Sequence, residues 1–62
     1  MGMDELILAL VELALRDGKT TEEVAEALGV TRMTLWRVRH GKAKVRGEWI
    51  YPISRLIDRR EV

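Results

Sequence analysis

The segment from Thr20 to His40 constrains the fold most, because it reads as two short helices joined by one tight turn. Its first residue is a good N-cap, and Glu23 follows three positions later, which is the spacing of a reciprocal capping box. Gly29 comes directly after the first helical pattern, where a left-handed helix end favours glycine. The segment therefore predicts helices over 21–28 and 32–40.

Apolar residues recur on one face of each of these helices. The inward positions are Val24, Ala25, Leu28, Val30, Leu35 and Val38. Thr31 is a candidate N-cap for the second helix. With those positions facing inward, the helical period turns a second set of side chains outward. This outward set is Arg32, Met33, Trp36, Arg37 and His40.

This pattern resembles the helix-turn-helix of phage and bacterial repressors. In that family an alanine stands four residues before the turn glycine, as Ala25 stands before Gly29. The apolar positions around the turn and in the second helix also match. The resemblance implies a DNA-binding domain whose second motif helix enters the major groove. The alternative is an ordinary helical hairpin that only packs.

Two narrower resemblances cover different parts of the chain. Residues 4–42, a helix followed by the motif, look like the start of Cro-like and lambda-type repressors. Residues 20–58 look like excisionase and MerR-type winged helix-turn-helix proteins, in which the motif is followed by a wing and then a segment similar to Trp49–Ser54. Both resemblances imply DNA binding without catalysis.

Charge is divided unevenly along the 62 residues. Residues 1–30 contain two basic and seven acidic residues, a formal charge of −5, whereas residues 31–62 contain nine basic and three acidic residues, a formal charge of +6. Six of the basic residues lie between Arg32 and Arg46, a stretch without any acid. Because this run begins on the outward face of the second motif helix, it favours a nucleic-acid partner over a merely solvated surface.

The first helix, predicted over 4–17, is apolar on more than one face. One face must cover the motif, and an exposed remainder is rarely tolerated by small soluble proteins. We therefore predict a homodimer through this helix, with the interface formed by Ile7, Leu8, Val11 and Leu15. The alternative is that the C-terminal segment folds back and covers the second face.

After Gly41 the pattern changes from helical to alternating. Residues 42–51 read as two short strands around Arg46–Gly47, and Pro52 ends the second strand. Ser54 is a candidate N-cap for a final helix over 54–61. The predicted fold is a single, mainly α domain over 1–62: a three-helix helix-turn-helix core, a C-terminal β-hairpin wing and a short final helix.

These features predict a non-enzymatic protein that binds double-stranded DNA, most simply a sequence-specific, repressor-like regulator. Base-reading residues are expected to be Arg32, Met33, Trp36, Arg37 and His40. Contacts to the DNA backbone are expected from Thr20, Thr21, Thr31, Arg39, Lys42, Lys44 and Arg46. The alternatives are an excisionase-like or architectural DNA-binding protein with low specificity, and a protein-interaction module that docks through helix 4–17.

Other classes of function have little support in the composition. There is no cysteine and only one histidine, so no metal site is expected, and no cofactor, small-molecule ligand or catalytic constellation is evident. The longest apolar run, Leu6–Val11, is shorter than a membrane-spanning helix requires. We expect a cytoplasmic protein associated with the nucleoid.

Overall fold

A computed structural model describes residues 2–58, which form four α-helices and one short 3-10 helix. The helices are α1 (Met3–Arg16), α2 (Thr21–Leu28), α3 (Arg32–Arg39) and α4 (Ile50–Ile57), and Gly47–Trp49 forms the 3-10 helix immediately before α4. The first three agree closely with the predicted 4–17, 21–28 and 32–40. The fold is mainly α, and its helix-turn-helix core is as predicted.

One hydrophobic core lies between the four helices. α1 contributes Ile7, Val11 and Ala14, and the motif contributes Val24, Ala25, Leu28, Leu35 and Val38. Trp49 and Ile53 complete the core from the C-terminal part. Because every predicted inward residue of α2 and α3 is buried, the outward face of α3 is set by the same helical period.

The start of α2 and the turn between α2 and α3 both have the capping chemistry that the sequence predicts. Thr20 Oγ1 accepts a hydrogen bond from the Glu23 amide at 3.1 Å, and a Glu23 carboxylate oxygen accepts one from the Thr20 amide at 2.8 Å. Gly29 ends α2 in the left-handed region at φ 76°, and the Val30 amide donates to the Ala25 carbonyl at 2.9 Å. The capping box fixes the start of α2, whereas Gly29 and the bond from Val30 fix the direction in which α3 leaves α2.

The predicted β-hairpin over 42–51 is wrong. Within residues 2–58 there is no β-strand; residues 42–46 are irregular, and the chain then enters the 3-10 helix and α4. The β-branched and aromatic residues that favour a strand, Trp49, Ile50 and Tyr51, lie instead in the 3-10 helix and the first turn of α4. Along α4, Ile50, Ile53 and Ile57 recur at helical spacing. Burial of this face overrides the intrinsic strand preference of the isoleucines.

The predicted final helix over 54–61 begins earlier than expected. Pro52 is the third residue of α4, within the first turn, where backbone amides lack an intrahelical acceptor and proline is tolerated. Ser54 therefore lies inside the helix and is not its N-cap; its carbonyl accepts a hydrogen bond from the Asp58 amide at 2.9 Å. Residues 59–61 of the prediction lie outside the described part of the chain.

The dimer interface predicted from α1 needs correction. Ile7 and Val11 are buried inside the protomer, and Leu8 and Leu15 are half-buried against the core. The reason is that α4 packs on α1 as well as on α2. The C-terminal segment thus covers the second face of α1, as in the alternative, and Ile7 and Val11 are not available to a second copy.

Replacement of Gly29 by alanine is expected to destabilise the domain by about 1–2 kcal/mol, the cost of placing a side chain in the left-handed region. A Cβ atom at Gly29 would meet no other atom within 4 Å, so the loss is a backbone effect. The measurement is chemical denaturation. Gly47→Ala is the matched control, because its Cβ is equally unhindered but its φ is not positive. Equal losses in both variants would contradict this account of the turn.

Candidate nucleic-acid interface

The outward face of α3 is formed by four of the five residues predicted to read bases. Met33, Trp36, Arg37 and His40 are all exposed and lie opposite the buried Leu35 and Val38. Thr31 caps the N-terminus of the helix, and its hydroxyl oxygen accepts a hydrogen bond from the Thr34 amide at 3.1 Å. The face therefore combines an apolar side chain, two aromatic rings and a guanidinium group on one rigid support.

Trp36 and His40 form a stacked pair on this face. Their ring centroids are 4.1 Å apart and the ring planes are inclined by 22°. His40 Nδ1 lies 2.9 Å from the Trp36 carbonyl oxygen, which can only accept, so a hydrogen on Nδ1 donates to it. The stack holds both rings in place at the C-terminal end of α3, and Trp36 remains 47% exposed.

Arg39, predicted as a DNA-backbone contact, is bound to α1. Its Nε and a terminal nitrogen donate to the two carboxylate oxygens of Glu12 at 2.7 and 3.1 Å. This two-pronged pair joins residues 27 positions apart and connects the C-terminal end of α3 to α1. The arrangement assigns Arg39 a positioning contact, which sequence reasoning missed because no local spacing rule links the two residues.

Arg32 lies at the N-terminal edge of α3, beside α2. Its guanidinium is 3.9 Å from the Glu22 carboxylate, and both side chains are largely exposed, so the pair is weak. A shallow groove between α2 and α3 is lined by Thr21, Arg32, Met33, Trp36 and Arg39, among others. The groove brings Thr21, one of the predicted backbone contacts, next to the outward face of α3.

The remaining predicted backbone contacts lie on the irregular segment after α3. Along residues 42–46 the exposed Lys42, Lys44 and Arg46 alternate with Ala43 and Val45, which pack against the core. Exposed and partly buried side chains therefore do alternate along residues 42–46, although these residues form no β-strand. The effect of this alternation is to present three cations on one side of the segment.

Thr20 and Thr31 are occupied by helix capping. The backbone hydrogen bond from Thr20 is the main cause that lowers the pKa of the Glu23 carboxyl below its usual value, and the Thr20 hydroxyl and Lys19 add to it. A carboxyl whose pKa is depressed by folding stabilises the protein above its unfolded pKa, and the effect is lost as the pH falls through the folded pKa. The α2 capping box is therefore intact at neutral pH.

Other kinds of site find no support in the part of the chain that is described. Residues 2–58 contain no group of three or more histidine or acidic side chains placed to hold a metal ion. No helix within the same range is both long and apolar enough to cross a membrane. Among these residues no carboxylate forms an ion pair with Arg37, so its guanidinium is available to an external acceptor.

Comparison with known proteins agrees with this geometry. A family model described as a homeodomain-like domain matches residues 4–44, a range that contains nearly all of α1 and the whole of α2 and α3. No curated protein and no solved structure matches the chain. The narrower resemblances to Cro-like, excisionase and MerR-type proteins are not confirmed by this match.

A double-mutant cycle over Glu12→Gln and Arg39→Gln is expected to give a coupling energy of about 0.2–1 kcal/mol, the range for partly exposed ion pairs. The measurement is the free energy of unfolding of the wild type, both single variants and the double variant. The high end of the range is expected, because the geometry is two-pronged. A coupling indistinguishable from zero would mean that the pair does not hold α3 to α1.

Proposed function

Because this chain belongs to the homeodomain-like domain family, a helix-turn-helix class that binds DNA, we propose that it is a sequence-specific transcriptional regulator that acts as a homodimer. It has no catalytic role in this proposal. Its α3 enters the major groove of double-stranded DNA, a groove wide enough to admit an α-helix. The observation that carries the proposal is the composition of the outward face of α3, which mixes Arg37 with Met33, Trp36 and His40.

Arg37 is the first candidate for base reading. It projects from the middle of the exposed face and has no acidic partner among the described residues. A guanidinium fork can donate to both acceptors of guanine, which gives about 1–3 kcal/mol of discrimination. Arg32 is the second candidate, at the N-terminal edge of the helix, where its weak pair with Glu22 is readily exchanged for DNA.

The apolar part of the face suits thymine. Met33 and Trp36 present hydrocarbon and ring surface, and thymine is read in the major groove through contact with its methyl group. Because His40 already stacks on Trp36, little side-chain entropy is lost when the ring contacts a base. His40 itself lies at the helix end, within the same face.

Contacts to the phosphates surround this face in the proposal. From the irregular segment after α3, the cations Lys42, Lys44 and Arg46 contact the phosphates of one DNA strand, and Thr21 contacts the other strand from the groove beside Arg32. The amides at the starts of α2 and α3 add to the positive potential, while the hydroxyls of Thr20 and Thr31 keep their capping roles. Arg39 acts by holding α3 in place.

Binding to duplex DNA at increasing salt concentration tests the proposal as a whole. About four to six phosphate contacts should give a log-log slope of about −4 to −5. Absence of binding at low salt would overturn it and would favour a protein-interaction module. Equal affinity for all duplexes would instead favour an architectural protein.

Arg37→Ala and Lys44→Ala are expected to have different effects on DNA binding, one on base preference and the other on overall affinity. Arg37→Ala should relax the base preference at one position and lower affinity for the preferred site about 5- to 150-fold, which corresponds to 1–3 kcal/mol. Lys44→Ala should weaken all duplexes alike and reduce the salt slope by about 1. Selection from random duplexes, followed by titrations at several salt concentrations, measures both effects. Equal loss on every sequence for both variants would contradict a base-reading role for Arg37.

A further inference from the structure

Apart from Tyr51 on α4, the large apolar side chains that are exposed in the described chain lie in two places. One is the outward face of α3, and the other is a line of residues along α1. This line, the α1 stripe, consists of Met3, Leu6, Leu10 and Leu13. Met3, Leu6 and Leu13 are 51%, 39% and 48% exposed, and Leu10 is half-buried. The proposed DNA interface does not use this surface.

The α1 stripe and the DNA interface lie on different sides of the molecule. At 3.6 residues per turn, Leu6 and Leu13 lie about 100–120° around the helix axis from Glu12. Glu12 marks the side of α1 that holds α3, because it binds Arg39. A molecule bound to the stripe would therefore leave the outward face of α3 free.

We propose that the α1 stripe is a dimerisation surface whose occupant is the α1 stripe of a second copy of this chain in antiparallel orientation. This proposal rests on the homodimer of the proposed function and identifies its interface. The residues of the stripe are spaced by three, four and three positions, which is the repeat of a two-helix seam. Such a seam is self-complementary about a two-fold axis.

Charge along α1 selects the antiparallel orientation. Asp4 and Glu5 lie in the first turn, and Arg16 lies in the last turn. In an antiparallel pair, Arg16 of each copy lies near the acidic first turn of the other, and the helix dipoles oppose each other. A parallel pair would place like charges together. The complementarity therefore fits a second copy of this chain in one orientation.

The size of the α1 stripe sets the expected strength of the dimer. Four side chains from each copy bury less than the roughly 1,200 Å² that marks the lower limit of stable interfaces. The free protein is therefore expected to be in a monomer–dimer equilibrium, with a dissociation constant on the order of micromolar or weaker. Two copies bound to adjacent half-sites on one DNA duplex are held close together, so that their dimerisation becomes effectively intramolecular. DNA with two half-sites is therefore expected to stabilise the dimer.

Sedimentation equilibrium of the full chain without DNA, from about 1 μM to 1 mM protein, tests the interface. The wild type should show the dimer, and the double variant Leu6→Gln/Leu13→Gln should raise the dissociation constant at least about tenfold, as expected from the lost apolar contact. Tyr51→Gln is the matched control, because Tyr51 is an exposed large side chain on α4 and outside the stripe. It should dimerise like the wild type.

Orientation is tested with charge variants, which also cover the case in which the double glutamine variant fails to fold. Arg16→Glu should weaken the dimer, and Asp4→Arg/Glu5→Arg/Arg16→Glu should restore it. A monomeric wild type at all concentrations, or wild-type dimerisation in the glutamine variant, would overturn the proposal. The proposal would also be overturned if the triple variant dimerised no better than Arg16→Glu alone. Binding of a single half-site through α3 does not depend on these results, so failure here is distinguishable from failure of DNA binding.

Discussion

Helix α1 is too apolar to be covered by the helix-turn-helix alone, and the rest of the structure depends on how its second face is shielded. The motif packs on α1 through α2, and α4 packs on α1 as well, so that Ile7, Val11 and Ala14 are buried. A domain of this size buries only about 60% of the surface of its unfolded chain. Every segment with apolar side chains is therefore needed in the core, including Trp49 and Ile53 near the C-terminus.

This packing leaves the molecule with two distinct surfaces. α3 is held by the turn at Gly29 on one end and by the Glu12–Arg39 pair on the other, so its outward side chains are presented by a rigid helix. The α1 stripe lies on a different side and is apolar, with acidic residues in the first turn of α1 and Arg16 in its last turn. The division of charge along the chain thus becomes a division in space, with the cations on and after α3.

The helix-turn-helix could be predicted from the sequence because its signals are local. The capping box at Thr20, the glycine at position 29 and the inward period of Val24, Leu35 and Val38 each act within a few residues, and all agree with the structure. The outward placement of Met33, Trp36 and Arg37 follows from the same period. These parts needed no knowledge of the tertiary contacts.

The features that sequence reasoning missed depend on distant contacts. Residues 48–51 favour a strand by composition, yet they lie in the 3-10 helix and the start of α4, because Trp49 and Ile53 bury against the other helices. Arg39 pairs with Glu12, which is 27 positions away in the sequence. One residue of the basic run therefore connects α3 to α1. The spacing of Ile50, Ile53 and Ile57 is the local signal that α4 begins before Ser54.

The central claim, that α3 is the surface that meets DNA, is tested most directly by the two tryptophan indole N–H signals in an NMR titration with duplex DNA. Trp36 lies on the outward face of α3 and is 47% exposed, whereas Trp49 is in the core and 4% exposed. At low salt the account predicts a large, saturable shift of the Trp36 signal and little change for Trp49. Saturable DNA binding that leaves the Trp36 signal unmoved would contradict it.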